Sequence, residues 1–377
     1  MKNIIIFSSL YLPHLGGVER YTSNLAKHLI KLGNHVTVVT SKLPGEQSIE
    51  VMESVNIIRL KSFNLLNGRF PIYDFRNSQK DKNILRNIHA DLIIINTRYY
   101  PLSLFAAEFA KEGKIKCILI DHSTGHISFN NALIDRFSEL YEHAITSKIK
   151  KYNVDFYGVS KNTSRWLKHF EIQSKGEIYN AIDLEMIETL KKNVSQHLNN
   201  VPFQKYSRVI CFTGRLIKEK GILELIEGFK IYNKQSNSCL VIAGEGPLLE
   251  SLKEKNIKDV FFLGKISFEE VVSLLCKSDV FCFPTAYPEG FPTSLLEAAA
   301  CHCYLISTDK GGARELIKDS SYGHILKTNA PYEISRALSQ YDKIENINSI
   351  LEKTYSLVKQ EFDWKVIAKK VSDCLID

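Results

Sequence analysis

No run in the sequence approaches the ~20 apolar residues that a membrane-spanning helix needs. The apolar stretch near the N-terminus, Ile4 to Phe7, meets polar Ser8 and Ser9 too early to be a secretory signal. Short-period repeats and low-complexity tracts are missing, which excludes collagenous and disordered architectures. Neither Gly-x-Gly-x-x-Gly nor a Walker phosphate loop occurs, and that disfavours the usual dinucleotide and P-loop NTPase readings. The eight cysteines (117, 211, 239, 276, 282, 301, 303 and 374) are too scattered for a disulfide framework. Most lie inside apolar runs, where a free thiol behaves as a small core residue, and a reducing cytoplasm is the simplest compartment.

What is present is the profile of a soluble globular protein: 377 residues, 44% hydrophobic and 24% charged. At roughly 150 residues per domain this length predicts two or three domains with full cores and a cleft between them. The net charge of +7 is uneven, since residues 1–183 hold 24 Lys+Arg against 17 Asp+Glu and residues 184–377 hold 25 of each. A basic half-molecule points to an anionic partner there, such as a membrane surface, a phosphorylated acceptor or nucleic acid, or is simply a solvated basic face.

Apolar runs at Asn3 to Ser9, His35 to Thr40, Asn56 to Leu60, Asp91 to Asn96, Lys116 to Asp121 and Val154 to Ser160 read as strands. Helical patterns lie between several of them. The first has Val18, Tyr21, Leu25, Leu29 and Leu32 at three- and four-residue spacing and ends at Gly33. After a polar stretch, Lys191 to Ser207 with Asn199, Asn200 and Pro202, the rhythm restarts. Strands follow at Arg208 to Thr213, Ser238 to Ala243, Val260 to Leu263, Val280 to Phe283, Tyr304 to Ser307 and His324 to Leu326. Alternating strands and helices predict parallel sheets covered on both faces, here two doubly wound α/β domains. Ligands bind at the carboxyl ends of such strands.

Three loops carry candidate chemistry. Gly16 and Gly17 stand where the first strand hands over to a helix, which suits either a tight turn or a phosphate approaching the helix N-terminus. Gly214-Arg215-Leu216-Ile217-Lys218-Glu219-Lys220-Gly221 follows the strand that opens the second domain. Arg215 and Lys220 there suit a diphosphate clamp, with Lys218 solvated. Pro288-Glu289-Gly290-Phe291-Pro292-Thr293-Ser294-Leu295-Leu296-Glu297-Ala298-Ala299-Ala300 predicts a loop carboxylate, Glu289, and a second, Glu297, on a buried helix starting near Thr293. A glutamate among Ala and Leu needs a partner, either a hydroxyl-rich ligand or a cation such as Arg215.

These loops, with Asn180-Ala181-Ile182-Asp183, Gly244-Glu245-Gly246-Pro247 and Ser307-Thr308-Asp309-Lys310-Gly311-Gly312 in the same order, resemble glycosyltransferase family 4 from residue 3 to about 366. The resemblance implies the GT-B fold, with two doubly wound, Rossmann-like parallel-sheet domains facing each other across a cleft. It implies an N-terminal acceptor domain at 1–183, a nucleotide-sugar domain at 184–360, and a last helix at 361–377 packing back on the first domain. Arg215 and Lys220 would hold the donor diphosphate, Glu297 the ribose hydroxyls, and Glu289 the donor sugar. Backbone N–H groups around Gly290, Phe291 and Thr293, in the loop that also contains Pro292, would complete that site, with Gly16 and Gly17 approaching from the other domain. A histidine near the anomeric carbon is expected in Asp121-His122-Ser123-Thr124-Gly125-His126, with His122 the choice and His126 the reserve. With two cations and a helix dipole at the leaving group, no metal and no cofactor is expected.

One segment departs from the family pattern. Cys301-His302-Cys303-Tyr304 replaces Cys-Gly-x-Pro and makes the turn bulkier, without the second ligand pair a zinc site would need. On the acceptor side, Lys148, Lys150, Lys151, Arg165, Trp166, Lys168, His169 and Phe170 mix cations with aromatics as a membrane-surface patch would. The reading is a retaining, metal-independent transferase moving a hexose or N-acetylhexosamine, from a UDP-sugar by preference, to a hydroxyl of a glycan or lipid-linked oligosaccharide. Its setting would be bacterial surface polysaccharide synthesis, in the cytoplasm or peripheral at the inner face of the membrane, with no nucleic-acid partner. The rivals are a nucleotide-sugar epimerase of the same architecture and a catalytically silent partner protein that only binds donor or glycan.

Overall fold

The computed structural model describes residues 1–374 except positions 15, 66, 67, 69, 130, 193–197, 199 and 200. Asn199 and Asn200 of the polar stretch therefore lie outside the described residues. The chain divides into two compact units, Met1–Asn180 with Trp364–Asp377, and Ala181–Asp363. The two crossings lie side by side: the Ile182 N–H donates to the carbonyl of Phe362 at 3.0 Å.

Unit 1 contains strands β1 (Asn3–Ser8), β2 (His35–Lys42), β3 (Ile49–Met52), β4 (Val55–Leu65), β5 (Phe70–Tyr73), β6 (Leu92–Asn96), β7 (Lys116–Asp121) and β8 (Asp155–Gly158). Its helices are α1 (Gly17–Lys31), α2 (Ser78–Arg86), α3 (Pro101–Gly113), α4 (Ala132–Ile149) and α5 (Lys161–Leu167). The strands lie in the order β3-β4-β2-β1-β6-β7-β8, with β5 also on β4. The six strands predicted from apolar runs pair in parallel; β3 and β5 are antiparallel to β4, so this sheet is mixed rather than all-parallel. Ile4, Ile5, Ile6 and Ile93, Ile94, Ile95 are fully buried, as strands covered on both faces must be. Each such side chain contributes about 1.5–3 kcal/mol of transfer free energy.

Unit 2 contains β9 (Arg208–Thr213), β10 (Ser238–Ala243), β11 (Val260–Gly264), β12 (Val280–Phe283), β13 (Tyr304–Thr308) and β14 (His324–Leu326). Helices α6 (Leu184–Lys191), α7 (Ile222–Tyr232), α8 (Leu249–Lys253), α9 (Phe268–Cys276), α10 (Thr293–Ala300), α11 (Ala313–Leu316), α12 (Pro331–Tyr341) and α13 (Ile347–Glu361) accompany them. All pairings are parallel, in the order β11-β10-β9-β12-β13-β14. The chain then returns to unit 1 as α14 (Trp364–Asp373), where buried Trp364 meets the Tyr21 ring of α1 edge-on at 5.0 Å.

Candidate functional site

Counted in its own sequence order, the unit 2 sheet runs 3-2-1-4-5-6, so the winding reverses between β9 and β12. In doubly wound sheets of this kind, the crevice at the carboxyl ends of the two strands flanking the reversal is where ligands sit. The loop after β9 carries Arg215 and Lys220, and the loop after β12 carries Glu289.

Backbone contacts tie these loops together. Gly244, just past β10, has φ +143°, and a Cβ on it would lie 1.8 Å from the Gly214 carbonyl oxygen. Gly221 has φ +73° and would meet the Pro284 carbonyl oxygen at 2.1 Å. Only glycine permits both the dihedral and the approach. Ala286 and Tyr287 donate their N–H groups to the Glu219 carbonyl at 2.8 and 3.0 Å, so the β9 and β12 loops are joined backbone to backbone.

Lys220 and Glu289 are brought together as an ion pair, with side chains 15% and 11% exposed. The ammonium group also lies over the rings of Phe283 (5.3 Å) and Tyr287 (4.9 Å). One of its three N–H donors is committed to Glu289, leaving donor capacity for an incoming anion. Thr285, which the sequence reading did not single out, donates its hydroxyl to Glu289 Oε1 at 3.2 Å. Arg215 is exposed, and its side chain enters no ion pair among the described residues.

Helix α10 begins at Thr293, and its N-cap, Pro292, makes no side-chain cap, so the dipole end of the helix is left to backbone N–H groups. Phe291 and Pro292 are buried, and the Phe291 ring packs 5.1 Å from Phe362, so these two residues shape the loop. Gly290, Thr293 and Glu297 are partly exposed on the same segment.

In unit 1 the two glycines differ. A Cβ on Gly16 would meet Glu19 Oε2 at 2.2 Å, whereas nothing lies within 4 Å of one on Gly17, the first residue of α1. The buried Glu19 side chain folds back over the helix start and pairs with His14 (3.5 Å). Burial raises its pKa, and backbone N–H groups at Glu19 and Gly16, with His14, oppose the rise. An anion approaching α1 would thus meet a carboxylate already in place, which the glycine pair alone did not reveal.

His122 follows β7 directly. Its Nε2 lies 3.3 Å from Asn96 Oδ1, and its ring is edge-on to Tyr21 at 4.6 Å. Thr22 donates its hydroxyl to Val18 O (2.8 Å) and accepts from Asn96 Nδ2 (2.8 Å), which turns Asn96 Oδ1 toward the imidazole. The proton of the neutral ring therefore sits on Nε2 and the lone pair on Nδ1. Burial pushes the pKa down to about 3, so this histidine is uncharged near neutrality.

Beyond it lies a network the sequence reading missed. The Arg98 guanidinium, fully buried, donates to Asp121 (2.8 Å), Ser123 (2.5 Å) and Glu142 (2.6 Å) and stacks over Phe170 at 4.1 Å. Asn96 and Asp121, polar residues each ending an apolar strand, were the available signal. The reserve histidine, His126, points away into a group with Glu139, His143 and His169.

The expected membrane patch needs correction. Phe170 is 4% exposed, and Trp166 is partly buried with its ring stacked 4.7 Å from that of His169. Phe170 is turned inward because its ring packs against the buried Arg98 guanidinium, and Trp166 is partly covered by its stack on His169. Lys148, Lys151, Arg165 and Lys168 stay exposed, while Lys150 is half-buried and donates to the Phe170 carbonyl. At the bulky turn after α10, His302 adopts φ +60°, the left-handed conformation a glycine takes without strain. Its ring stacks on Tyr355 at 4.7 Å and pairs with Glu352 (3.2 Å), while Cys303 donates to the Leu275 carbonyl.

Doubly wound sheets with converging strand-end loops define a class of α/β protein that binds its ligands at the carboxyl ends of the strands. The model for Glycosyltransferase Family 4 matches residues 15–186, and that for Glycosyl transferases group 1 matches residues 194–375. The chain belongs to glycosyltransferase family 4 and has the GT-B fold. It is 26% identical to an uncharacterized glycosyltransferase of Methanocaldococcus jannaschii, over 97% of this chain and 96% of that one. Identity to a probable sucrose-phosphate synthase of Thermosipho melanesiensis is 24%, over 95% of this chain and 90% of that one. A crystal structure of an Anabaena protein in complex with UDP superposes with a TM-score of 0.77 at 17% identity, covering 100% of both chains. The protein is accordingly a glycosyltransferase.

Proposed function

We propose that the protein transfers a hexose or N-acetylhexosamine from a UDP-sugar to a hydroxyl of a glycan or lipid-linked oligosaccharide, with retention and without a metal at the donor site. The observation that carries this reading is the Lys220–Glu289 pair at the carboxyl ends of β9 and β12. Lys220, Arg215 and the start of α10 would hold and neutralise the diphosphate, Glu289 the donor sugar, and Glu297 the ribose. Unit 2 would be the donor domain, and unit 1, with His122, Gly16 and Gly17, the acceptor domain. The acceptor oxygen bonds to the anomeric carbon as the bond from that carbon to the phosphate oxygen breaks on the same face. The acceptor proton passes to the departing diphosphate. UDP as carrier is supported by the UDP held in the Anabaena neighbour.

A lipid-linked acceptor at an anionic membrane is supported by the basic excess of residues 1–183. Leu133, Ile134, Phe137 and Leu140 add to it, exposed by 49% or more at helical spacing along α4. No helix of the described residues is long and apolar enough to cross a membrane. Flotation with anionic vesicles is expected to carry the protein, and Phe137→Glu with Leu140→Glu to release it; absence of binding by the unaltered chain removes the membrane from this reading.

The donor reading is tested by nucleotide release from a panel of UDP-, GDP- and ADP-sugars under EDTA, with and without added Mg²⁺ or Mn²⁺. Release from one UDP-sugar, unaltered by these ions and reduced about 10²–10³-fold in Glu289→Ala and Arg215→Ala, is expected. Release that requires the added ions overturns metal independence, and no donor binding leaves the catalytically silent partner as the standing reading.

A further inference from the structure

We propose that His126, Glu139, His143 and His169 in unit 1 form a binding site for one divalent transition-metal ion, with zinc the best fit. One ligand atom from each lies within 4.8 Å of the others, and among the described residues no other group of His, Cys, Asp and Glu side chains converges in this way. His169 Nε2 is 3.1 Å from His126 Nε2 and 3.2 Å from His143 Nε2, and His126 Nε2 is 3.5 Å from Glu139 Oε1. Tetrahedral coordination with bonds of about 2.0–2.1 Å separates neighbouring ligand atoms by about 3.3–3.4 Å, and these three separations, 3.1, 3.2 and 3.5 Å, bracket that value.

Hydrogen bonding alone does not account for the cluster. An imidazole nitrogen carries one proton or one lone pair, so His169 Nε2 can make one good hydrogen bond, yet two ring nitrogens converge on it. An ion accepting all three lone pairs removes the conflict. The surroundings supply outer support as well. His126 Nδ1, buried and without a hydrogen-bond partner, lies 3.4 Å from Glu142 Oε1, the carboxylate position that fixes a metal-bound imidazole with its Nε2 toward the ion. Trp166 stacks on the His169 ring at 9° between planes and holds its orientation.

Three imidazoles and a carboxylate select a borderline ion over Mg²⁺ or Ca²⁺, which prefer oxygen. Four protein ligands fill a tetrahedron and leave no open position, the mark of a structural site. The ion would clamp the loop that begins at His122 to α4, through Glu139 and His143 at i and i+4, and to the turn after α5. With His126 21% and Glu139 33% exposed, the site is reachable from solvent.

The test is titration of untagged, chelator-stripped protein with Co²⁺, then displacement by Zn²⁺. One Co²⁺ per chain is expected, with visible ligand-field bands that Zn²⁺ abolishes and a melting temperature raised by Zn²⁺. His143→Ala and His169→Ala are expected to weaken Co²⁺ binding at least a hundredfold while keeping the helical signal; exposed His89→Ala changes nothing. Binding of wild-type strength in the double variant, or no stoichiometric binding by the parent chain at micromolar ion, overturns the proposal. X-ray absorption of the zinc-loaded parent chain needs no variant: three imidazole nitrogens at about 2.0 Å support the site, and a hydrated six-coordinate ion overturns it.

Discussion

The two units arrange six parallel strands in the same spatial sequence, β4-β2-β1-β6-β7-β8 in one and β11-β10-β9-β12-β13-β14 in the other, yet they differ in what chiefly secures their strand ends. Unit 2 uses backbone: glycines at 214, 221 and 244 let carbonyls and N–H groups of neighbouring loops touch. Unit 1 uses side chains: Arg98 between Asp121, Ser123 and Glu142, and the run from Thr22 through Asn96 to His122. A backbone lattice fails at its glycines and tolerates change elsewhere. A buried side-chain network fails when any charged member is removed, but exchanging several members together can retune it.

The largest effect that would break this comparison is expected at the centre of unit 1. Arg98→Met leaves Asp121 and Glu142 buried without their cation and should cost about 3–5 kcal/mol in urea unfolding; a loss under ~1 kcal/mol would mean the network is not what holds the loops. Next comes the glycine lattice. Gly244→Ala is expected to lose about 2–3 kcal/mol through strain at φ +143° and the clash with Gly214, while Gly17→Ala stays within ~0.5 kcal/mol because its Cβ meets nothing. Equal tolerance at both positions would erase the contrast between the units.

The smallest effect is one of pH. Half-buried, neutral His122 takes up its proton only near pH 3, whereas the unfolded chain does so near 6.5. Between those values the unfolded state binds the extra proton, so stability falls as pH drops from about 6.5, by no more than ~1.4 kcal/mol per pH unit. His122→Gln should flatten that part of the stability curve; an unchanged slope would show that the ring is solvated.

Twelve strands were legible because strands buried on both faces are written as short apolar runs, Ile4 to Phe7 and Leu92 to Ile95 among them. β3 and β5 were not. Each has four residues, β3 leaves Ile49 and Val51 exposed, and β5 contains Pro71, so neither shows the alternation or the run that marks a strand. The second half of β4, Lys61–Leu65, is mostly exposed and was equally silent. Among the candidate residues, the loops bearing Arg215, Lys220 and Glu289 in unit 2 and His122 in unit 1 could be read from their place after strands. Thr285, Glu19 and Arg98 could not, since nothing local distinguishes a threonine or arginine that will be buried from one that will be solvated; Asn96 and Asp121, polar residues ending apolar strands, were the one hint of the network around Arg98.

By itself the sequence determined the alternation of strands and helices, the restart at mid-chain, and which loops leave the strand ends, because each follows from short-range periodicity and glycine placement. Only the tertiary structure decided that Lys220 pairs with Glu289, that Glu19 covers the start of α1, and that histidines 43 residues apart meet nitrogen to nitrogen. Those pairings join separate loops, and the crossovers that bring the loops together are set by sheet order, a long-range property that no window of the chain contains.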